Sequence, residues 1–220
     1  MNRAEEFRLL CGDRRGFHGR SPQDWTEEGE GKGEEACRNL RMASDVQIMP
    51  ATADMLPDLL RLEEACFSTP WTRKMLEAEL SGNPFAYFLV AVDKGQLAGT
   101  EGEIVGYHCF WIVFEELRLM NLAVHESVRR RGIGQALVLE AMTTALARSA
   151  NRAVLEVRVS NEAARALYQR LGFVHITTRP AYYTNPVEDA VIMELAPLVV
   201  QIGTRHDGEP LEGTESGPAY

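Results

Sequence analysis

The segment from Leu117 to Leu146 constrains the fold of this chain more than any other. An apolar, strand-like run, Leu117–Val124, leads into Arg129-Arg130-Arg131-Gly132-Ile133-Gly134. Behind it, Ile133, Leu137, Ala141, Met142, Ala145 and Leu146 recur at helical spacing. A strand, a short basic glycine loop and a helix therefore follow one another directly. Glycines leave successive backbone N–H groups unobstructed, and the positive end of the helix points at the same spot, so the arrangement suits an anion. The arginines add charge-assisted hydrogen bonds, and a pyrophosphate is the expected ligand.

Two better-known phosphate loops do not match. A P-loop needs Gly-Lys-Ser/Thr, whereas Gly134 is followed by Gln135-Ala136. The dinucleotide pattern G-x-G-x-x-G is absent as well, because the order is Arg129-x-x-Gly132-x-Gly134. Taken alone, R-x-x-G-x-G also describes a plain basic turn. Its place between an apolar strand and an amphipathic helix favours the phosphate reading.

The flanking patterns define a mixed α/β domain over 45–200. Val46–Met49 reads as a strand, and Thr52 is placed to cap a helix bearing Met55, Leu56, Leu59, Leu60 and Leu62, with Pro57 in its first turn. Thr72 is placed to cap a second helix that turns Met75, Leu76 and Leu80 inward and stops at Gly82. Phe85–Val92, Ile104–Phe114 and Leu117–Val124 read as consecutive strands, with a loop at Asp93–Glu103. Then come strand Ala153–Val159, helix Glu162–Leu171 ended by Gly172, strand Phe173–Arg179 and strand Ala190–Leu195. Helical crossovers join parallel neighbours, so a parallel pair is expected in the later half of a largely antiparallel sheet.

Residues 1–44 are rich in Arg, Glu and Gly, and read as a disordered extension that buries too little apolar surface to offset ordering. A short helix over Ala4–Leu10 and a misplaced start codon are the other readings of that segment. Residues 201–220 read as a flexible tail. The formal charge of −9 argues against a general nucleic-acid binder. Cys11, Cys37, Cys66 and Cys109 show no metal-ligand spacing, so no metal site is expected, and reduced thiols in a cytoplasmic protein are. The chain offers neither a signal peptide nor an apolar run of membrane-spanning length.

A second constellation lies in Leu155-Glu156-Val157-Arg158-Val159-Ser160-Asn161, followed by Ala166-Leu167-Tyr168 and Leu171-Gly172-Phe173. Strand alternation sets Leu155, Val157 and Val159 on one face and Glu156 and Arg158 on the other. Glu156 then either lines a cleft or is a solvated, ion-paired carboxylate. Asn161 stands where a helix cap belongs. Tyr168 reads by itself as a core-edge tyrosine.

This ordered set resembles the GNAT superfamily of N-acetyltransferases, and within it the ribosomal-protein-alanine N-acetyltransferases of the RimI type. The resemblance rests on Asn121-Leu122-Ala123-Val124, Arg129–Gly134, Leu155–Arg158 with Ser160-Asn161, Ala166–Tyr168 and Leu171–Phe173. Pro70-Trp71, Tyr182-Tyr183, Glu188-Asp189-Ala190 and Ile192-Met193 agree with it. It implies the GNAT fold, and acetyl-CoA as co-substrate. The pyrophosphate would sit on the backbone of Arg130, Arg131, Gly132, Ile133, Gly134 and Gln135, and the pantetheine arm beside Leu122, Ala123 and Val124. Asn161 would hold that arm, Glu156 would be the general base and Tyr168 the general acid. Trp71, Tyr182 and Tyr183 would contact the acceptor, the N-terminal alanine of a ribosomal protein. A monomer is expected, with no direct nucleic-acid or membrane partner. A small-amine acetyltransferase and a non-catalytic acetyl-CoA sensor are the alternatives.

Overall fold

The computed structural model describes residues 45–95 and 102–200. The expectations for 1–44, for 201–220 and for most of the Asp93–Glu103 loop lie outside the described residues. A single sheet of seven strands organises the rest, in the order β1-β2-β3-β4-β5-β7-β6. Its strands are β1 (Val46–Pro50), β2 (Ala86–Asp93), β3 (Glu103–Val113), β4 (Glu116–Val124), β5 (Arg152–Arg158), β6 (Val174–Thr184) and β7 (Val187–Leu195). The four α-helices are α1 (Leu56–Cys66), α2 (Arg73–Gly82), α3 (Ile133–Leu146) and α4 (Glu162–Arg170). Neighbours β1 to β4 meander antiparallel, and β4 pairs parallel with β5. The expected parallel pair thus falls where α3 carries the chain across.

The sheet separates two apolar layers. Leu137, Ala141 and Met142 of α3 pack on Leu117, Leu119, Leu155 and Val157, and Tyr168 of α4 joins the same layer. On the other face, Leu56, Leu59 and Leu62 of α1 and Leu76 of α2 cover Phe88, Val90, Tyr107 and Cys109. Gly106 permits the close fit on the first face. A Cβ there would stand 3.0 Å from the Ala123 carbonyl oxygen and 3.5 Å from both Ile133 and Leu137.

Two local expectations need correction. Thr52 does not cap α1: a 3₁₀ turn, Ala53–Met55, intervenes, and Thr52 makes no capping hydrogen bond. Pro57 explains the late start, since it fits only where an N–H partner is not needed. Val159 lies beyond the end of β5 and is 40% exposed, so the inward face of that strand stops at Val157. Thr72 caps α2 as expected, its Oγ1 accepting from the Met75 N–H.

Leu137 is fully buried where α3 crosses the sheet. Replacing it by Ala should cost about 3 kcal/mol of stability. Urea unfolding with an unchanged m-value is the check.

Candidate active site

The site begins with one extra residue. Phe110 pairs with Leu119 and Cys109 with Asn121, so Met120 is a β-bulge in β4. Before the bulge, Leu117 and Leu119 face α3; after it, Leu122 and Val124 do. The bulge therefore shifts the alternation by one and turns Asn121 and Ala123 toward α1. Parallel pairing with β5 ends at the same point, the last pair being Leu119 with Leu155. Beyond it β5 pairs only with β7, as far as Arg158 opposite Ala190. The two strands part, leaving the β5-side edge of Met120–Val124 open and a gap that joins the two faces of the sheet.

The parts gathered around this gap are largely those named from sequence. Leu122 and Val124 are half-buried on the parting strand, and Ala123 is buried. The basic loop follows, with Arg130 at φ 67° and Gly132 at φ 83°, a conformation natural only to glycine. Gly132 is the N-cap of α3, so Ile133, Gly134 and Gln135 occupy its first turn, where N–H groups lack an intrahelical acceptor. A methyl group at Gly134 would stand 3.7 Å from Leu167 and from Val124, so α3, α4 and β4 converge there. The arginines differ in employment. Arg129 Nε donates to the Val124 carbonyl at 3.0 Å, and Arg131 pairs with Asp93 at 3.1 Å.

Glu156 is half-buried on β5 and faces α1 by alternation, since its neighbours Leu155 and Val157 belong to the α3 layer. Tyr168 lies across the sheet from it, 7% exposed and edge-on to Phe173 at 5.7 Å. Asn161 caps α4, its Oδ1 accepting from the Ala164 N–H at 3.1 Å, which leaves its amide NH₂ for other work. Trp71 sits in the α1–α2 loop, while Tyr182 and Tyr183 stack edge-on at 5.2 Å near the end of β6. Thr69 Oγ1 donates to the Asn185 carbonyl at 3.4 Å, so the α1–α2 loop and the β6–β7 turn meet over the Glu156 side of the sheet.

Sequence reasoning missed the polar group beneath this groove. Glu63 of α1 is fully buried and accepts from the Tyr107 hydroxyl, from Asn121 Nδ2 at 2.7 Å and from the Trp71 N–H at 2.7 Å. It ties the groove loop to the parting strand. Burial raises its pKa, although all three donors oppose the shift. Its place in a helix of apolar spacing gave one signal, because Glu63 falls beside Leu59, Leu62 and Cys66 on the inward side. His108 is a second buried polar residue, on the other face of the sheet. It is a core residue with Nδ1 3.3 Å from the Leu137 carbonyl oxygen, but Nε2 has no partner, and burial lowers its pKa to about 4.

A family model described as the acetyltransferase (GNAT) family matches residues 56–173, more than half of the chain. A Bacillus subtilis (strain 168) relative is 33% identical over 158 residues, 72% of this chain and 93% of its own. The crystal structure of the ribosomal-protein-S18-alanine N-acetyltransferase from Escherichia coli superposes with a TM-score of 0.62 at 28% identity, covering 71% of this chain and 96% of that one. Arabidopsis thaliana NAA60, in complex with acetyl-CoA, shares the fold with a TM-score of 0.63 at 19% identity, covering 69% and 98%. The chain belongs to the GNAT family of acetyltransferases. It is an N-acetyltransferase, similar to enzymes of the RimI type.

Glu63→Ala should leave the buried Tyr107 hydroxyl and the half-buried Trp71 N–H without their acceptor and destabilise the fold by about 3 kcal/mol, read by urea unfolding. Glu63→Gln should behave differently with pH. A carboxyl whose pKa is raised in the folded state holds its proton more tightly there than when unfolded. That contribution to stability is complete below the ordinary value of 4.5 and is lost as pH rises through the raised one. The stability of the Gln variant relative to wild type should therefore improve across that window.

Proposed function

We propose that this enzyme transfers an acetyl group from acetyl-CoA to the α-amine of an N-terminal alanine on a ribosomal protein. The observation that carries this reading is the gap between Met120–Val124 and Glu156–Arg158, which has a carboxylate on one face and a tyrosine-bearing helix on the other. The residues present fit the co-substrate. The open edge of β4 offers strand-like hydrogen bonds to a pantetheine arm at Leu122, Ala123 and Val124. The left-handed Gly132 and the first turn of α3 suit a pyrophosphate through the backbone of residues 130–135. Asn161 has its amide NH₂ available to a carbonyl of the arm. Acetyl-CoA supplies the acyl thioester.

The acceptor would enter from the Glu156 face, between Trp71 and the Tyr182-Tyr183 pair. An α-amine has a pKa of about 8, so it arrives largely protonated at neutral pH. Glu156 takes that proton, directly or through a water, and frees the nitrogen to attack the thioester carbon. As the N–C bond forms and the C–S bond breaks, the Tyr168 hydroxyl gives its proton to the departing sulfur, and the second proton shed by the acylated nitrogen restores the phenol, directly or through a water. No cysteine nucleophile is needed. Cys109 is buried, and desolvation pushes the Cys66 thiol up, which suits neither to attack. What supports the acceptor is similarity to the E. coli enzyme, together with the aromatic groove.

Glu156→Gln should lower kcat about 100-fold while leaving acetyl-CoA affinity unchanged, and Tyr168→Phe should lower kcat by at least about tenfold. Gly132→Val should abolish cofactor binding by forcing a β-branched residue into left-handed backbone. Mass spectrometry of N-terminal Ala peptides, N-blocked Lys peptides and small amines, each incubated with the enzyme and acetyl-CoA, tests the acceptor. Transfer to the free Ala α-amine supports the proposal. Transfer to small amines alone replaces it with the small-amine reading.

A further inference from the structure

The end of β6 lies at the rim of the sheet and is tied to it mainly by side chains. β6 is one of the two edge strands of the sheet, and nearly all of its residues are exposed. Its ladder with β7 is interrupted between the pairs Arg179–Ala190 and Tyr183–Glu188, so Pro180, Ala181 and Tyr182 stand opposite Asp189 alone. Ala181 adopts left-handed backbone at φ 49°, and its N–H rests on Asp189 Oδ1 at 2.8 Å. Beyond the bulge only two pairs, Tyr183–Glu188 and Thr184–Val187, close the ladder before the turn, and the Tyr183 hydroxyl donates to the Glu156 carbonyl at 3.4 Å.

Arg158, the last residue of β5, reaches across to that turn. Its guanidinium carbon lies 4.0 Å from the centroid of the Tyr183 ring. One terminal nitrogen donates to Glu188 Oε2 and to the Pro186 carbonyl, both at 3.2 Å, and the other donates to the Asn185 carbonyl at 3.1 Å. Glu188 is itself anchored, because its second oxygen accepts from the Ser160 N–H at 2.6 Å. That bond, with Arg158 beside it, holds the Glu188 carboxyl below its ordinary range. The Asn185 carbonyl also receives Thr69 from the α1–α2 loop, so Arg158 stands directly behind the point where the two walls of the groove meet.

We infer that Arg158 is a positioning residue for the acceptor: it fixes Tyr183 and the β6–β7 turn at the spacing from the α1–α2 loop that grips an N-terminal peptide. The inference rests on the proposed acceptor class. Arg158 touches no reacting atom in that scheme and follows Glu156 on the same face of β5. Its contacts converge on the groove wall rather than on the core, so its loss should loosen acceptor binding more than it slows transfer. A planar, five-donor guanidinium can stack on a ring and serve three acceptors together; an ammonium cannot, so lysine is not a substitute here.

The test is steady-state kinetics of the full chain with an N-terminal Ala peptide, comparing wild type, Arg158→Met, Arg158→Lys and Glu188→Gln. It is joined to acetyl-CoA titration and to amide hydrogen exchange over residues 182–188. Both Arg158 variants should raise the peptide KM by about tenfold or more, with kcat within about threefold and acetyl-CoA affinity unchanged. Glu188→Gln should show a smaller rise in the same direction. Exchange should quicken in the turn and not in the core. A peptide KM within about twofold of wild type would overturn the inference, as would rescue by lysine or an equal loss of acetyl-CoA affinity. If wild type acetylates small amines and no peptide, the acceptor proposal fails and the peptide-gripping role with it. The exchange data then still decide whether Arg158 holds the turn.

Discussion

Met120, the extra residue in β4, breaks the rhythm of the sheet at the place where β5 lets go. Up to Leu119 the two strands share parallel hydrogen bonds and bury the same face against α3. Past Met120, β4 has reversed which residues look up and which look down, while β5 has kept its phase and followed β7. A bulge adds local twist and bend. The polar backbone edge that this leaves on β4 needs a partner or water, because an unpaired, buried amide is costly. In the proposed function a strand-like ligand arm satisfies it. The same reversal sends Asn121 down to Glu63 and holds Leu122 and Val124 against α3.

Glu63 explains how the cleft stays open without coming apart. A buried carboxylate is costly unless its lone pairs are taken, and here the Tyr107 hydroxyl, the Asn121 amide and the Trp71 N–H take them. These donors belong to β3, β4 and the α1–α2 loop, so one side chain fastens three elements to α1. Glu79 repeats the device one helix later, accepting from Trp111 Nε1 at 2.9 Å and from Asn83 Nδ2 at 2.7 Å. The face under the groove is therefore pinned by two buried glutamates on successive helices. The opposite face is held mainly by apolar packing of α3, with Tyr168 of α4 added to it.

Much of this architecture was legible in the sequence because it depends on local periodicity. The strand, glycine loop and helix around Gly132 announce themselves in consecutive residues, and so does the cap at Asn161. What was not legible depends on register. Nothing around Met120 distinguishes a bulge from continued pairing, since Leu119-Met120 and, past the single polar Asn121, Leu122-Ala123-Val124 read as strand in either register. Glu63 looked like one charged residue on a helix until Tyr107 and Asn121, distant in sequence, supplied its donors. Arg158 read as the polar face of a strand, and its employment became visible only when the β6–β7 turn folded back over it. Thr52 failed as a cap for a nearer reason: Pro57 delays the α-helix, and a 3₁₀ turn fills the interval.

The basic loop, proposed above as the pyrophosphate site, is built in a way that suits an anion on an acidic chain. Two of its three arginines are engaged in building it: Arg129 closes back on the Val124 carbonyl, and Arg131 is half-exposed and neutralised by Asp93. An ion pair so close to solvent contributes little to stability, about 1 kcal/mol at most, so its value lies in fixing the path of the chain. Arg130 is exposed, with left-handed backbone. Under that proposal the hold on the anion comes mainly from oriented N–H groups at the start of α3, which keep their direction whatever the net charge of −9 does at longer range. Salt screens charges that lie apart in solvent; it scarcely weakens hydrogen bonds made in contact. A site of this build should therefore tolerate ionic strength better than its run of arginines suggests, because most of those arginines hold the loop and the backbone is left to hold the proposed ligand.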